Sequence, residues 1–196
     1  MELEAVFFDL ETTGRDTAHG RIVEIAAYNA TQKTSFERLV NPGIPIPKES
    51  SAINGITDEM VREAPSFEVV AKEFMDFCDR PVMLVAHNGE LFDLPFLQAE
   101  FRRNSLSLPK DWIFVDSLKW ARKYRKDLPR HALQYLRKFF GFPENQAHRA
   151  LDDVMTLYRI FSLLTDDLTP EEIIDRIGGV RPFIEQEAPE EELALF

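Results

Sequence analysis

Apolar and polar positions along this chain change their period several times, and each change marks an element. Residues 2–10, ELEAVFFDL, are apolar enough to predict a strand buried on both faces. RIVEIAAYNA (21–30) and TSFERLV (34–40) predict two more strands, and the short loops between them predict an antiparallel meander. The stretch 41–57, rich in Pro and Gly, predicts a loop with a short helical turn. Helical spacing then appears in FEVVAKEFMDFC (67–78), with Ser66 as a candidate cap. PVMLVAHN (81–88) predicts a strand, LPFLQAEFRR (94–103) a helix, WIFVDS (112–117) a strand and LKWARKY (118–124) a helix. HALQYLRKFF (131–140) reads as a helix stopped by Gly141 and Pro143, and residues 148–165 as a long amphipathic helix. A last helix is framed by Thr169, Pro170 and Glu172, in the order of a capping box, and by Gly178 and Gly179. Three strands followed by alternating helices and strands predict an α/β fold, a mixed sheet flanked by helices.

Composition narrows this picture. With 196 residues, 44% of them hydrophobic and 16 of them Phe, the chain can bury one sizeable core. Cys78 is the single cysteine, so no internal disulfide forms. The start lacks the basic region and apolar run of a signal peptide, and no stretch is long enough to span a membrane. The expectation is a soluble protein in a reducing compartment, the cytoplasm. The net charge of −11 argues at first against a nucleic-acid partner. Residues 166–196 hold ten acids and two bases, however, which leaves only −3 for the first 165 residues. The acidity belongs mostly to the tail, and a local basic face on the body remains compatible with it.

Three stretches carry candidate chemistry. In VFFDLETTG (6–14) an apolar run ends in two acids, Asp9 and Glu11, which point the same way because side chains alternate along a strand. Adjacent carboxylates repel unless a cation lies between them, and hard oxygen donors suit Mg²⁺ or Mn²⁺. In AHNGELFDLPFL (86–97) a strand leads through His87 and Asn88 to Asp93 at the start of a helix, a place the helix dipole alone already favours for an acid. In HRALDDV (148–154) His148 precedes Asp152 and Asp153. Helical geometry sets His148 against Asp152 if both are helical, and leaves Asp153 free to face a shared site if His148 lies outside the helix. Residue spacing does not choose between the two aspartates.

DLETTG, HNGELFD and HRALDD, in that order and at this separation, resemble the DEDDh family of 3′→5′ exonucleases, which includes the proofreading subunit of bacterial DNA polymerase III. The likeness covers about residues 3–165 and extends to INGITDEMV (53–61), VDSLKWARK (115–123) and ALQYLRKFFG (132–141). It implies a ribonuclease H-like sheet; with the last helix and the run of acids after it, the expected division is an exonuclease domain over residues 1–179 and an acidic tail over 180–196. The likeness further implies that Asp9, Glu11, Asp93 and Asp153 hold two divalent metal ions, Mg²⁺ or Mn²⁺, with His148 as general base. The family's His-x-Ala-x-x-Asp pattern falls on His148, Ala150 and Asp153, and so selects Asp153 over Asp152. Two departures stand out: His87 and Asp93 are six residues apart where many members have five, and Asn54 replaces a frequent His.

The implied reaction is metal-dependent 3′→5′ hydrolysis of DNA to nucleoside 5′-monophosphates in proofreading, repair or end processing. RNA 3′-end trimming by the same motifs, and a non-catalytic end-binding polymerase accessory, are the alternatives. A single-stranded or frayed 3′ end is the expected substrate, with a DNA polymerase as a further candidate partner. Expected nucleic-acid contacts are Thr12, Thr13 and Gly14 beside the first acids, with Asn88 and Phe92; core packing is the expected first role for Phe92. The basic run 119–131, with Lys119, Arg122 and Lys123 and the aromatic Trp120 and Tyr124, suits backbone contact and base stacking. The chain closes on EELALF, and its last five residues, Glu192 to Phe196, resemble the peptide by which bacterial proteins dock on the replication sliding clamp. Glu192 stands where that motif usually has Gln, and Leu193, Leu195 and Phe196 would be the anchors.

Overall fold

The computed structural model describes residues 3–143, 150–166 and 168–180. Its centre is a five-stranded sheet in the order β3-β2-β1-β4-β5. Strand β1 (Glu4–Thr12) pairs antiparallel with β2 (Ile22–Asn29), which pairs antiparallel with β3 (Thr34–Leu39). On its other side β1 runs parallel to β4 (Val82–Ala86), and β4 runs parallel to β5 (Trp112–Asp116). The mixed sheet and the element order follow the sequence expectation. The helices around it are α1 (Lys48–Asn54), α2 (Asp58–Val61), α3 (Phe67–Phe77), α4 (Asp93–Arg103), α5 (Ser117–Tyr124), α6 (Leu133–Phe139), α7 (Ala150–Thr165) and α8 (Pro170–Ile177).

Strand β1 is central and covered on both faces, which explains its near-continuous apolar run. Val6, Phe8 and Leu10 point to one face, where Phe74 of α3 and Phe96 and Phe101 of α4 complete the packing. Phe7 points to the other, against Val154, Leu157 and Phe161 of α7. The Phe7 and Phe161 rings meet edge to face at 5.9 Å. Burial of each large side chain here contributes about 1.5–3 kcal/mol, so α7 is held firmly across β1. Asp9 and Glu11 continue the Phe7 face by alternation. Asp153 lies four residues before Leu157, on the same sheet-facing stripe of α7. Period two on the strand and period 3.6 on the helix thus turn both sets of acids towards one place.

A second framework ties α4 to the end of β1. Buried Glu100 accepts from Arg21 Nε at 2.6 Å and Nη2 at 3.1 Å, and from the Ile22 N–H at 3.3 Å. Arg103 donates to the Gly20 carbonyl at 3.0 Å. The helix that begins with Asp93 is thereby clamped to the loop that follows Glu11.

Local signals differ in how they are realised. Thr169 and Glu172 form the expected capping box at α8, with Thr169 accepting from the Glu172 N–H at 3.3 Å. Ser66 precedes α3 as expected but makes no capping bond with its side chain. The loop 41–57 contains α1, seven residues long, which ends at Gly55, whose φ of 74° is one an L side chain rarely adopts. Val180 exchanges both backbone hydrogen bonds with Phe114, each 2.8 Å, so the described body reaches past α8 to the sheet. Residues 144–149, with His148, and 181–196, with Glu192, Leu193, Leu195 and Phe196, lie outside the described residues.

Candidate active site

Where β1 and β4 end, a cleft of about 730 Å³ opens, lined by residues distant in the chain. Asp9 and Glu11 come from β1, Asp93 from the start of α4 and Asp153 from α7, and all four line it. The extra residue between His87 and Asp93 is absorbed in a tight turn. Asn88 takes a left-handed φ of 67°, and its N–H and that of Glu90 donate to buried Asp116 at 3.0 and 3.3 Å. Gly89 is required there, because a Cβ would stand 2.5 Å from the Ala86 Cβ. The turn delivers Asp93 to the cleft with its carboxyl buried.

The acids lining the cleft act on one another electrostatically. Burial pushes Asp9 well above the ordinary carboxylate range, and the charges of Asp93, Glu11 and Asp153 push it further. Glu11 is raised to about 8, by burial first and then by Glu24 and Asp153. Glu24 faces Glu11 directly across the β1–β2 pair. Asp93 is raised to about 7 by burial, against an opposing contribution from backbone hydrogen bonds at Asp93 and Leu10. Its Oδ1 is buried without a hydrogen-bond partner among the described residues. Protons or a cation must compensate such a group, and hard oxygen donors around an unpartnered carboxylate oxygen fit a divalent ion. Among the described residues no three His, Cys, Asp or Glu side chains are drawn together as a ready-made cation cage. The acids form the cleft walls, and substrate oxygens and water would complete any coordination shell.

Other cleft residues sort by what they touch. Gln134 of α6 donates to Asp153 Oδ1 at 2.9 Å. Asn54, at the end of α1, donates to the Thr12 carbonyl at 3.3 Å, and its side-chain hydrogen bond to Glu11 opposes the upward shift there. Asn54 therefore supports Glu11. His87 is held by Ser117 Oγ at 2.8 Å from Nδ1 and is lowered to about 4, chiefly by burial, so its imidazole is neutral at neutral pH.

The expected nucleic-acid contacts divide. Gly14, Asn88 and Phe92 line the cleft, and Phe92 also packs on Phe96 with ring centres 5.0 Å apart. Thr12 lines it too, but its hydroxyl donates to the Gly14 carbonyl at 2.6 Å. Thr13 turns inward, its hydroxyl accepting from the Arg21 N–H at 3.0 Å. Lys119, Arg122 and Lys123 are not on the cleft wall. Lys119 pairs with Glu90, and Lys123 donates to the Arg176 carbonyl of α8 at 2.5 Å. Trp120 is core, with its indole N–H donating to the Leu164 carbonyl at 3.2 Å, and so presents no stacking face. A basic run read along the sequence is divided by its helix between α8, the core and solvent. Arg15, Ile53, Leu91 and Gln134, which the sequence motifs do not single out, also line the cleft. Leu91 is 78% exposed and Ile53 55%; both lie in stretches that carry the family resemblance, HNGELFD and INGITDEMV, where other residues stand out.

Comparison with known proteins adds descent to this geometry. The sequence model of the RNase T family, described as exonuclease, matches residues 6–161. This chain belongs to that exonuclease family. It is 38% identical over 182 residues to the chloroplastic/mitochondrial exonuclease DPD1 of Arabidopsis thaliana, covering 85% of this chain and 57% of that protein. It is 34% identical over 171 residues to the PolC-type DNA polymerase III of Caldanaerobacter subterraneus, covering 86% of this chain and 12% of that one. The chain thus spans little more than half the length of the first relative and about an eighth of the second. Among solved structures, the zinc-bound complex of E. coli exonuclease I with single-stranded DNA superposes with a TM-score of 0.76 at 20% identity, over 90% of this chain and 43% of that one. Cell-death related nuclease 4 superposes with a TM-score of 0.68 at 16% identity, over 91% of this chain and 65% of that one. These structural likenesses bear out the ribonuclease H-like fold.

The raised acids set a pH dependence. A carboxyl whose folded pKa exceeds its unfolded value near 4 binds its proton more tightly when folded. That stabilisation is complete below about pH 4 and is lost as pH rises through about 7 for Asp93 and about 8 for Glu11. In EDTA the melting temperature is expected to fall between about pH 5 and pH 8. Added Mn²⁺ should remove that fall and bind more tightly towards pH 8, with proton release. Melting curves with and without Mn²⁺ check this, and a metal-free curve that rises over the same interval contradicts it.

Proposed function

We propose that this protein is a metal-dependent 3′→5′ exonuclease that removes nucleoside 5′-monophosphates from DNA. The observation that carries the reading is the meeting of Asp9, Glu11, Asp93 and Asp153 in one cleft of an exonuclease-family fold. The four carboxylates would hold two divalent ions, Mg²⁺ or Mn²⁺, which when bound acidify water and relieve charge on the scissile phosphate. His148, which shares the HRALDD segment with Asp153, would accept the proton of the attacking water. Exposed Ile53 and Leu91 give the terminal nucleoside an apolar surface at the cleft rim, and Arg15 offers a cation for phosphate.

A DNA substrate is favoured by the company the chain keeps: a DNA polymerase III among its sequence relatives, and an exonuclease I bound to single-stranded DNA among structures that share its fold. RNA trimming and end binding without turnover are separated from it by experiment. Among the described residues no helix is long and apolar enough to cross a membrane. The buried free thiol of Cys78 fits the reducing cytoplasm, our reading of the compartment. Residues 192–196 are proposed to dock on a bacterial sliding clamp, with a polymerase as the associated partner. Deleting them should abolish co-elution with the clamp and leave digestion of free oligonucleotides unchanged; retained co-elution contradicts the docking.

The enzymatic reading is tested with 3′-labelled single-stranded DNA, duplex DNA and RNA in Mg²⁺, Mn²⁺ or EDTA. Single-stranded DNA should be shortened from its 3′ end in either metal and left intact in EDTA. His148→Ala should lose at least about 100-fold in rate while still binding DNA and metal. RNA digested faster than DNA overturns the substrate, and His148→Ala cleaving at the wild-type rate overturns its role.

A further inference from the structure

Gln134 has no place in the chemistry above, yet its side chain reaches the cleft and bonds to one of the four acids. Its Nε2 donates to Asp153 Oδ1 at 2.9 Å. Its Oε1 accepts from Arg137 Nε at 2.8 Å. Arg137 is itself buried and donates through Nη1 to the carbonyls of Pro143 at 2.7 Å and Phe142 at 3.3 Å. A guanidinium–amide–carboxylate chain therefore runs from the C-terminal half of α6 to the first turn of α7.

We propose that Gln134, oriented by Arg137, is a positioning residue that fixes the Asp153 carboxylate for metal binding; this rests on the reading of Asp153 as a metal ligand. Three features support it. The amide orientation is determined, because a guanidinium can only donate and so must face Oε1, which turns Nε2 towards Asp153. The bond ties a carboxylate on α7 to a second helix, α6, so its direction is set by packing between elements as well as by its own rotamer. The charge of Arg137 is passed on as a polarised amide rather than as a cation, so Asp153 is steadied by a neutral donor that does not compete with a metal ion. A cation placed directly on Asp153 would oppose the binding that the acid cluster serves.

Partners of this kind usually contribute about 10- to 100-fold in metal affinity or activity. The test uses Gln134→Met, which keeps length and packing but cannot donate, beside Asp153→Asn and the double variant. Mn²⁺ affinity is read by calorimetry, and melting in EDTA reports folding separately. Gln134→Met is expected to weaken Mn²⁺ binding about 10- to 100-fold with little change in metal-free melting. Asp153→Asn should weaken it further, and the double variant should bind no more weakly than Asp153→Asn alone, because the two residues act through one carboxylate. Wild-type Mn²⁺ affinity in Gln134→Met overturns the positioning role while Asp153→Asn still shows its loss. Additive losses in the double variant overturn it too. If Asp153→Asn itself binds Mn²⁺ like the wild type, the reading of Asp153 as a ligand fails, a distinct result. Should Gln134→Met melt markedly lower in EDTA, Gln134→Leu is measured in its place, with the same loss expected and the same wild-type affinity overturning the proposal.

Discussion

Burying like-charged carboxylates together is the constraint on which this molecule turns. Asp9, Glu11 and Asp93 all sit above the ordinary acid range, and burial is the largest cause each time. Nothing in folding favours such a cluster for itself. The surrounding structure has to hold it, and the aromatic packing of α7 on β1 and the Glu100 clamp on the loop after β1 are the parts that do. A fold strained at one end of its sheet in this way is poised to gain a cation there.

Two of the described supports meet the acids through neutral groups. Asn54 serves Glu11 and Gln134 serves Asp153, both through amide groups. Arg137 stands one step back, behind Gln134. Such an arrangement orients oxygens while keeping the cleft's negative potential available for a cation.

Much of this is legible in the sequence for identifiable reasons. Strand β1 is a long apolar run because it is covered on both faces, and the run ends where the cleft begins. Alternation alone puts Asp9 and Glu11 on one side. The choice of Asp153 over Asp152 needs the family pattern, and the packing stripe of α7 agrees with it, since Asp153 is buried and Asp152 exposed. The basic segment is divided, because a helix distributes consecutive residues round its axis. Lys119 and Lys123 meet Glu90 and α8 rather than the cleft, and Trp120 goes to the core. Gln134 is hidden for a different reason: an amide in an amphipathic helix looks like any surface residue until its partner, 19 residues on, is folded beside it.

Whether these four carboxylates hold paired cations is decided by a crystal structure with Mn²⁺ and a nucleoside 5′-monophosphate, read by anomalous scattering. Two peaks about 4 Å apart are expected, ligated by Asp9, Glu11, Asp93 and Asp153 and bridged by the phosphate. Mn²⁺ seated away from these carboxylates, with the nucleotide bound elsewhere, would contradict it.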